Sequence, residues 1–178
     1  METKLDILRR YFGYTSFRRG QEEIVDALLT GRDALCVMPT GAGKSVCYQV
    51  PALLLPGITL VISPLISLMK DQVESLTQAG VHAAYLNSSL TPAQYSRALH
   101  NLSEGLYKLV YVAPERLSTE NFRTAVENLN ISLIAVDEAH CVSQWGQDFR
   151  PDYLKIAEFA ESLKNRPTIG AFTATATK

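Results

Sequence analysis

Two short segments carry residue types and spacings suited to chemistry on a phosphate ester. The first is PTGAGKS at 39–45, lying between the apolar run ALCVM and the apolar stretch VCYQVPALLL. Strand, glycine loop and helix follow in the order that a phosphate-binding loop needs. Gly41 and Gly43 let backbone N–H groups turn inward at a helix N-terminus, which makes an anion cradle. Lys44 adds a point charge for the β- and γ-phosphates, and the Ser45 hydroxyl can ligate Mg²⁺. Thr40, Gly41, Ala42, Gly43, Lys44 and Ser45 are therefore candidate nucleotide contacts. The full pattern G-x-x-x-x-G-K-[ST] asks for glycine at position 38, where this chain has Met38. The second segment, LIAVDEAH at 133–140, is an apolar strand ending in two carboxylates. Asp137 can hold a magnesium shell while Glu138 orients or deprotonates an attacking water. Either segment alone has a plain reading, as a glycine turn with an exposed lysine or as an acidic strand end. Together, in this order, they point to ATP or GTP hydrolysis with Lys44, Asp137 and Glu138 as catalytic residues. Kinases of small metabolites use similar loops, so this step gives a nucleotide and not yet a motor.

The elements that must position these groups are legible as alternation. Strand-like runs recur at 34–38, 58–63, 82–86, 108–113, 132–137 and 168–174, several of them continuously apolar. Such runs are expected of parallel strands covered on both faces. Helical stretches lie between them, as at 65–80, where Leu65, Leu68, Met69, Val73 and Leu76 form one stripe. Ser63-Pro64, Thr91-Pro92 and Ala113-Pro114 each place a proline where a first helical turn tolerates a missing N–H. Thr91 with Gln94 matches a capping box, and Gly80 and Gly105 fall where helices should stop. The pattern predicts one α/β domain over 1–178, a doubly wound, mostly parallel sheet with helices on both faces. Ligands of such sheets bind at the carboxyl ends of the strands. The chain stops at Lys178, just after the last strand and TATAT, as a fragment of a longer protein would.

Composition narrows the setting. Of 178 residues, 47% are hydrophobic and 20% charged, and the net charge is −1. Bulk charge therefore gives no support to nucleic-acid binding, which must come from a local surface. Cys36, Cys47 and Cys141 are odd in number and have no metal-ligand spacing, so reduced core thiols are expected. His82 and His100 have no partner spacing and read as structural. The N-terminus has charges among its apolar residues, unlike a signal peptide, and no apolar run is long enough to span a bilayer. The expected location is cytoplasmic, without membrane partners.

DEAH at 137–140, TATAT at 173–177 and the phosphate loop together resemble the superfamily-two helicases. LRRYFGYTSFRRGQEEI (8–24) is similar to the adenine-recognition motif of the RecQ family of DNA helicases. SPLISLMKDQ (63–72) and YVAPERL (111–117) resemble that family's motifs Ia and Ib, and CVSQWGQDFRPDY (141–153) its aromatic-rich loop. The resemblance runs through nearly the whole chain and implies the first RecA-like lobe of a bacterial RecQ-type helicase.

The resemblance carries further expectations. ATP and Mg²⁺ are the implied cofactors. Gln21 is expected to read the adenine edge, with the ring held between Tyr14 and Arg18 by stacking and cation–π contact; the plain alternative is an amphipathic helix bearing a surface glutamine. Trp145, Phe149 and Arg150 are expected to couple DNA binding to ATP hydrolysis, with bases stacking on the aromatic loop. The same spacing of Trp145, Phe149 and Tyr153 could be a core stripe, but Gly146 and Pro151 interrupt it. Many relatives carry histidine where this chain has Gln147. His140 is expected to bridge to Gln144 or to the TATAT segment, in which Thr173 and Thr175 resemble the motif linking hydrolysis to lobe movement. Ser63, Lys70 and Arg116 are expected to meet DNA phosphates. Implied partners are single-stranded and partial-duplex DNA and a second lobe of the same polypeptide, the whole acting as a monomer associated with the nucleoid. Polarity would be 3′→5′, in DNA repair and recombination. An RNA helicase, a small-molecule kinase and a non-enzymatic DNA-binding module are the alternatives. DNA- versus RNA-stimulated turnover separates the first, and nucleic-acid-independent turnover would favour the second.

Overall fold

A computed structural model describes residues 1–39, 41–144 and 146–174. The six expected strands all form: β1 (Ala34–Val37), β2 (Ile58–Ile62), β3 (Ala83–Leu86), β4 (Leu109–Val112), β5 (Ile131–Val136) and β6 (Thr168–Thr173). They make one sheet in the order β1-β6-β5-β2-β4-β3, and every pairing is parallel.

Both faces of the central strands are buried, which explains their unbroken apolar runs. Leu60, Ile62, Val110, Val112, Ile134 and Val136 face α5 (Pro92–Ser103), α6 (Glu120–Val126) and α7 (Ile156–Ser162). Val61, Leu109, Tyr111, Leu133 and Ala135 face α2 (Gln21–Leu29), α3 (Lys44–Leu54) and α4 (Ile66–Gln78). The division follows from handedness. From β1 to β3 the chain travels one way across the sheet, and from β3 to β6 it travels back. Crossovers of one hand then place α3 and α4 on one face and α5, α6 and α7 on the other. The all-parallel pairing leaves the strand C-termini on a single rim.

Helix α1 (Lys4–Phe12) starts at a Thr3–Asp6 capping box and ends at Gly13, whose φ of 73° suits glycine. It packs with α2 outside α3, through Ile7, Leu8, Val25, Val46 and Val50. The Thr91–Gln94 capping box opens α5 with Pro92 in its first turn, and Gly80 and Gly105 follow the ends of α4 and α5 with positive φ. Two expectations need correcting. Pro64 lies ahead of α4, which begins at Ile66, because the Ser63 hydroxyl accepts the Leu65 N–H and forms a short turn first. Leu68 is not in the core stripe; it is 50% exposed, whereas Met69, Val73 and Leu76 are buried. All three cysteines are free and buried, as expected of core thiols.

Candidate active site at the strand rim

Strand β1 delivers the chain into the glycine loop. Gly41 and Gly43 both have φ of 82°, a conformation that side-chain-bearing residues rarely adopt. Gly43 caps α3, so Lys44 and Ser45 occupy its first turn, where free N–H groups and the helix dipole favour an anion. Met38, in place of the pattern's first glycine, is buried in the core behind the loop, and its N–H donates to the Thr173 carbonyl at 3.0 Å. The side chain adds core packing, while the backbone bond, open to any residue but proline, ties the loop's root to β6. Thr40 lies outside the described residues.

The segment joining α1 and α2 grips this loop. The Gln21 side chain is 4% exposed, which rules out a surface glutamine. Its Oε1 accepts the Arg18 N–H at 2.7 Å, and its Nε2 donates to the carbonyls of Gly43 at 3.1 Å and Ala42 at 3.3 Å. Arg18 Nη1 donates to the Gly41 carbonyl at 2.9 Å. A Cβ on Gly43 would stand 2.5 Å from Gln21 Nε2, so glycine is needed there for space as well as for φ. Arg18 also lies 5.9 Å from the Tyr14 ring centroid. A base stacked on both would need about 7 Å, two contacts of about 3.5 Å, so the guanidinium must shift by about 1 Å to admit it.

Strand β5 delivers the carboxylates. Asp137 Oδ1 accepts the Glu138 N–H at 2.9 Å, and the Tyr153 hydroxyl donates to the Asp137 carbonyl at 2.8 Å. Burial pushes the Asp137 carboxyl above the usual range; the Glu138 N–H and the Lys44 charge pull the other way. Glu138 has φ of 52°, the one positive value on a non-glycine described residue, and its carboxylate lies beside the His140 ring. His140 Nδ1 lies 3.0 Å from Thr173 Oγ1 and 3.4 Å from Glu138 Oε2, and its Nε2 lies 3.7 Å from Asp148. Of the two partners expected for His140, the Thr173 end is the one it touches, and Gln144 is exposed.

These groups share one cleft of about 440 Å³, lined by Tyr14, Arg18, Gln21, Lys44, Asp137 and Glu138 among others. A carboxylate, a serine hydroxyl and room for phosphate oxygens form the hard oxygen set that suits Mg²⁺, which is seldom caged by protein alone.

The residues expected at DNA are spread out. Ser63 is 4% exposed and lines the same cleft. Lys70 is exposed on α4, 3.8 Å from Glu74. Arg116 sits in the 3₁₀ turn Pro114–Ser118 with its guanidinium 4.8 Å above the Tyr95 ring. Phe149 is half-buried and Arg150 exposed, in an irregular loop whose ends are tied by the Arg150 N–H and the Cys141 carbonyl at 3.0 Å. Tyr153 leaves the aromatic stripe and belongs to the core. Trp145 and Thr175 lie outside the described residues. Sequence reasoning also missed Tyr48, Tyr111 and Gln72 on the cleft wall. The available signal was Gln49 and Tyr48 inside an apolar helix, polar atoms that had to find partners.

Comparison with known proteins agrees with this architecture. The chain is 51% identical over 172 residues to the ATP-dependent DNA helicase RecQ of Bacillus subtilis, covering 96% of this chain and 29% of that protein. It is 52% identical over 174 residues to the RecQ of Haemophilus influenzae, covering 98% and 28%. It therefore spans less than a third of these relatives. In structure it resembles a hypothetical ATP-dependent RNA helicase from Sulfolobus tokodaii, with a TM-score of 0.73 at 22% identity over 98% of this chain and 51% of that one. The Pyrococcus furiosus Hef helicase domain gives a TM-score of 0.69, also at 22% identity, over 91% and 33%. Residues 18–178 match the DEAD/DEAH box helicase family, so with the loop, the acidic pair and the parallel sheet in place the chain belongs to that family.

Proposed function

We propose that the chain is the ATP-binding motor lobe of a RecQ-type DNA helicase. The observation that carries this reading is the convergence of Lys44, Asp137 and Glu138 on one cleft whose phosphate loop is held from behind by Arg18 and Gln21. In this reading the loop N–H groups and Lys44 hold the β- and γ-phosphates, and Ser45 and Asp137 hold Mg²⁺, which would neutralise charge on the transferring phosphoryl group. Glu138 accepts a proton from the attacking water. Tyr14 and Arg18 stack the adenine ring. Gln21 Oε1 keeps a lone pair that can accept from the adenine amino group, whereas donation from Nε2 to the ring would mean releasing a loop carbonyl.

Similarity to RecQ proteins supports DNA as the polymer. The aromatic loop, with Trp145, Phe149 and Arg150, reports strand occupancy to Glu138 through His140, Gln144 and the Thr173–Thr175 segment. Lys70 and Arg116 approach the backbone. A second RecA-like lobe of the same polypeptide completes the site with an arginine finger, worth roughly 10³–10⁵ in rate. The parent acts as a cytoplasmic, nucleoid-associated monomer moving 3′→5′ in repair and recombination.

The test is ATP hydrolysis by the intact parent with and without single-stranded DNA. Glu138→Gln should lower the DNA-stimulated rate by about 10²–10⁴ while nucleotide affinity stays within about threefold. An unchanged rate, or stimulation by RNA and not by DNA, would remove the reading.

A further inference from the structure

The deep wall of the cleft is built from side chains for which the hydrolytic reading has no use. Tyr48 of α3 and Tyr111 of β4 are 3% and 2% exposed, with their hydroxyls 3.2 Å apart. Gln49, next to Tyr48 on α3, is 4% exposed. Its Nε2 donates to Gln72 Oε1 on α4 at 2.8 Å and to the Tyr111 hydroxyl at 2.9 Å.

Counting hydrogens gives this cluster a direction. An amide nitrogen has two, and Gln49 spends both, so the Tyr111 oxygen is an acceptor toward Gln49. The two phenols own two hydrogens, and the contact between them uses one. Whichever phenol donates, one hydrogen is left without an acceptor among the described residues. Burial pushes both phenol pKa values up, Tyr111 to about 12, so that hydrogen is present at any physiological pH. A buried donor left unmade is costly, and both tyrosines border the cleft that also holds Asp137. Asp137 spends Oδ1 on the Glu138 N–H, and its Oδ2 has no hydrogen-bond partner among the described residues.

We propose that Tyr48 and Tyr111 are positioning residues for Asp137: the surplus phenolic hydrogen enters the cleft and, directly or through one water, fixes the orientation of the free carboxylate oxygen. Gln49 orders the chain of donors, and Gln72 anchors it to α4. The inference rests on the nucleotide reading above and adds residues to it. The carboxylate is thereby held ready for Mg²⁺, so the pair acts on the metal-dependent part of nucleotide binding and leaves the rest alone.

The experiment measures the affinity of the intact protein for a fluorescent ADP analogue in Mg²⁺ and in EDTA, with thermal unfolding as a check on folding. The Mg²⁺-dependent tightening should persist in Tyr48→Phe, which still holds the Tyr111 hydrogen. It should fall by about tenfold, the weight of one hydrogen bond to a charged group, in the double variant Tyr48→Phe/Tyr111→Phe, where no phenolic hydrogen remains. Affinity in EDTA should stay within about twofold. Wild-type tightening in the double variant overturns the proposal, and so does an equal loss in both buffers, which would mark a packing role. If the double variant fails to fold, Gln72→Leu on the half-buried face of α4 decides: a reduced tightening upholds the proposal and an unchanged one overturns it. Wild-type protein showing no Mg²⁺-dependent tightening would instead defeat the nucleotide reading itself.

Discussion

At the scale of single residues, the site depends on two backbone conformations with different physical demands. Gly43 needs both φ of 82° and an absent Cβ, because Gln21 Nε2 occupies the space. Gly43→Ala should therefore destabilise the domain by about 1–3 kcal/mol and weaken nucleotide binding at least tenfold, read by unfolding midpoint and nucleotide titration. Glu138 bears a left-handed φ with a full side chain, a cost tolerated for where it aims the carboxylate. Glu138→Gly and Glu138→Ala both delete that carboxylate, yet Gly should be the more stable by about 1 kcal/mol. Equal unfolding midpoints would show that the turn stores no strain. Lys44, Asp137 and Glu138 were legible in sequence because their spacing is local to one loop and one strand end. The grip of Gln21 was not, since it spans more than twenty positions and uses carbonyls, which leave no mark on residue type.

At the scale of elements, β1 is an edge strand of four residues and needs help to stay paired. Asp33, just before it, takes a two-pronged pair of bonds from Arg166 at 2.7 and 3.2 Å and the Ile169 N–H at 2.9 Å, pinning β1 beside β6. Hydrogen bonding by the Arg166 guanidinium holds the Asp33 carboxyl below its usual range, against a smaller opposing effect of burial. The folded state therefore binds this proton more weakly than the unfolded chain. Its stabilising contribution is complete above the unfolded value of about 3.9 and disappears as pH falls through the lower folded value. Urea unfolding of Asp33→Asn should lack that part of the acid-side loss seen in wild type. The opening of α5 offers a simpler case: Thr91→Ala removes the hydroxyl that accepts the Gln94 N–H and should cost about 1 kcal/mol. The strands were readable because two buried faces force continuous apolar runs. The start of α4 was misread because the Ser63 hydroxyl forms a turn that delays the helix, and Leu68 because helical periodicity cannot tell a core face from a cleft wall.

At the scale of the whole molecule, one rim of the sheet carries both the phosphate loop after β1 and the acidic pair after β5, with the single strand β6 between them. The core beneath must therefore be rigid for the site to be accurate. Phe172 of β6 is fully buried against Tyr48, with ring centroids 5.4 Å apart. Phe172→Ala should cost about 3–5 kcal/mol and lower nucleotide affinity as well, since Tyr48 and Met38 lose their backing. Stability lost with affinity intact would show that the rim tolerates a looser core. The order of the strands was not legible in the sequence. Alternation fixes parallel pairing, while the insertion of β6 and β5 between β1 and β2 is a long-range choice with no local signal.

The loop tied off by the Arg150 N–H and the Cys141 carbonyl contains the single tryptophan of the chain, Trp145. Excited at its red edge, where the eight tyrosines are dark, the protein carries one built-in optical reporter and needs no label. Every change in its emission colour or quenching belongs to that loop. Titrating the 178-residue chain with single-stranded DNA and then with nucleotide would let spectroscopy follow, in one cuvette, whether the two ligands speak to each other through it.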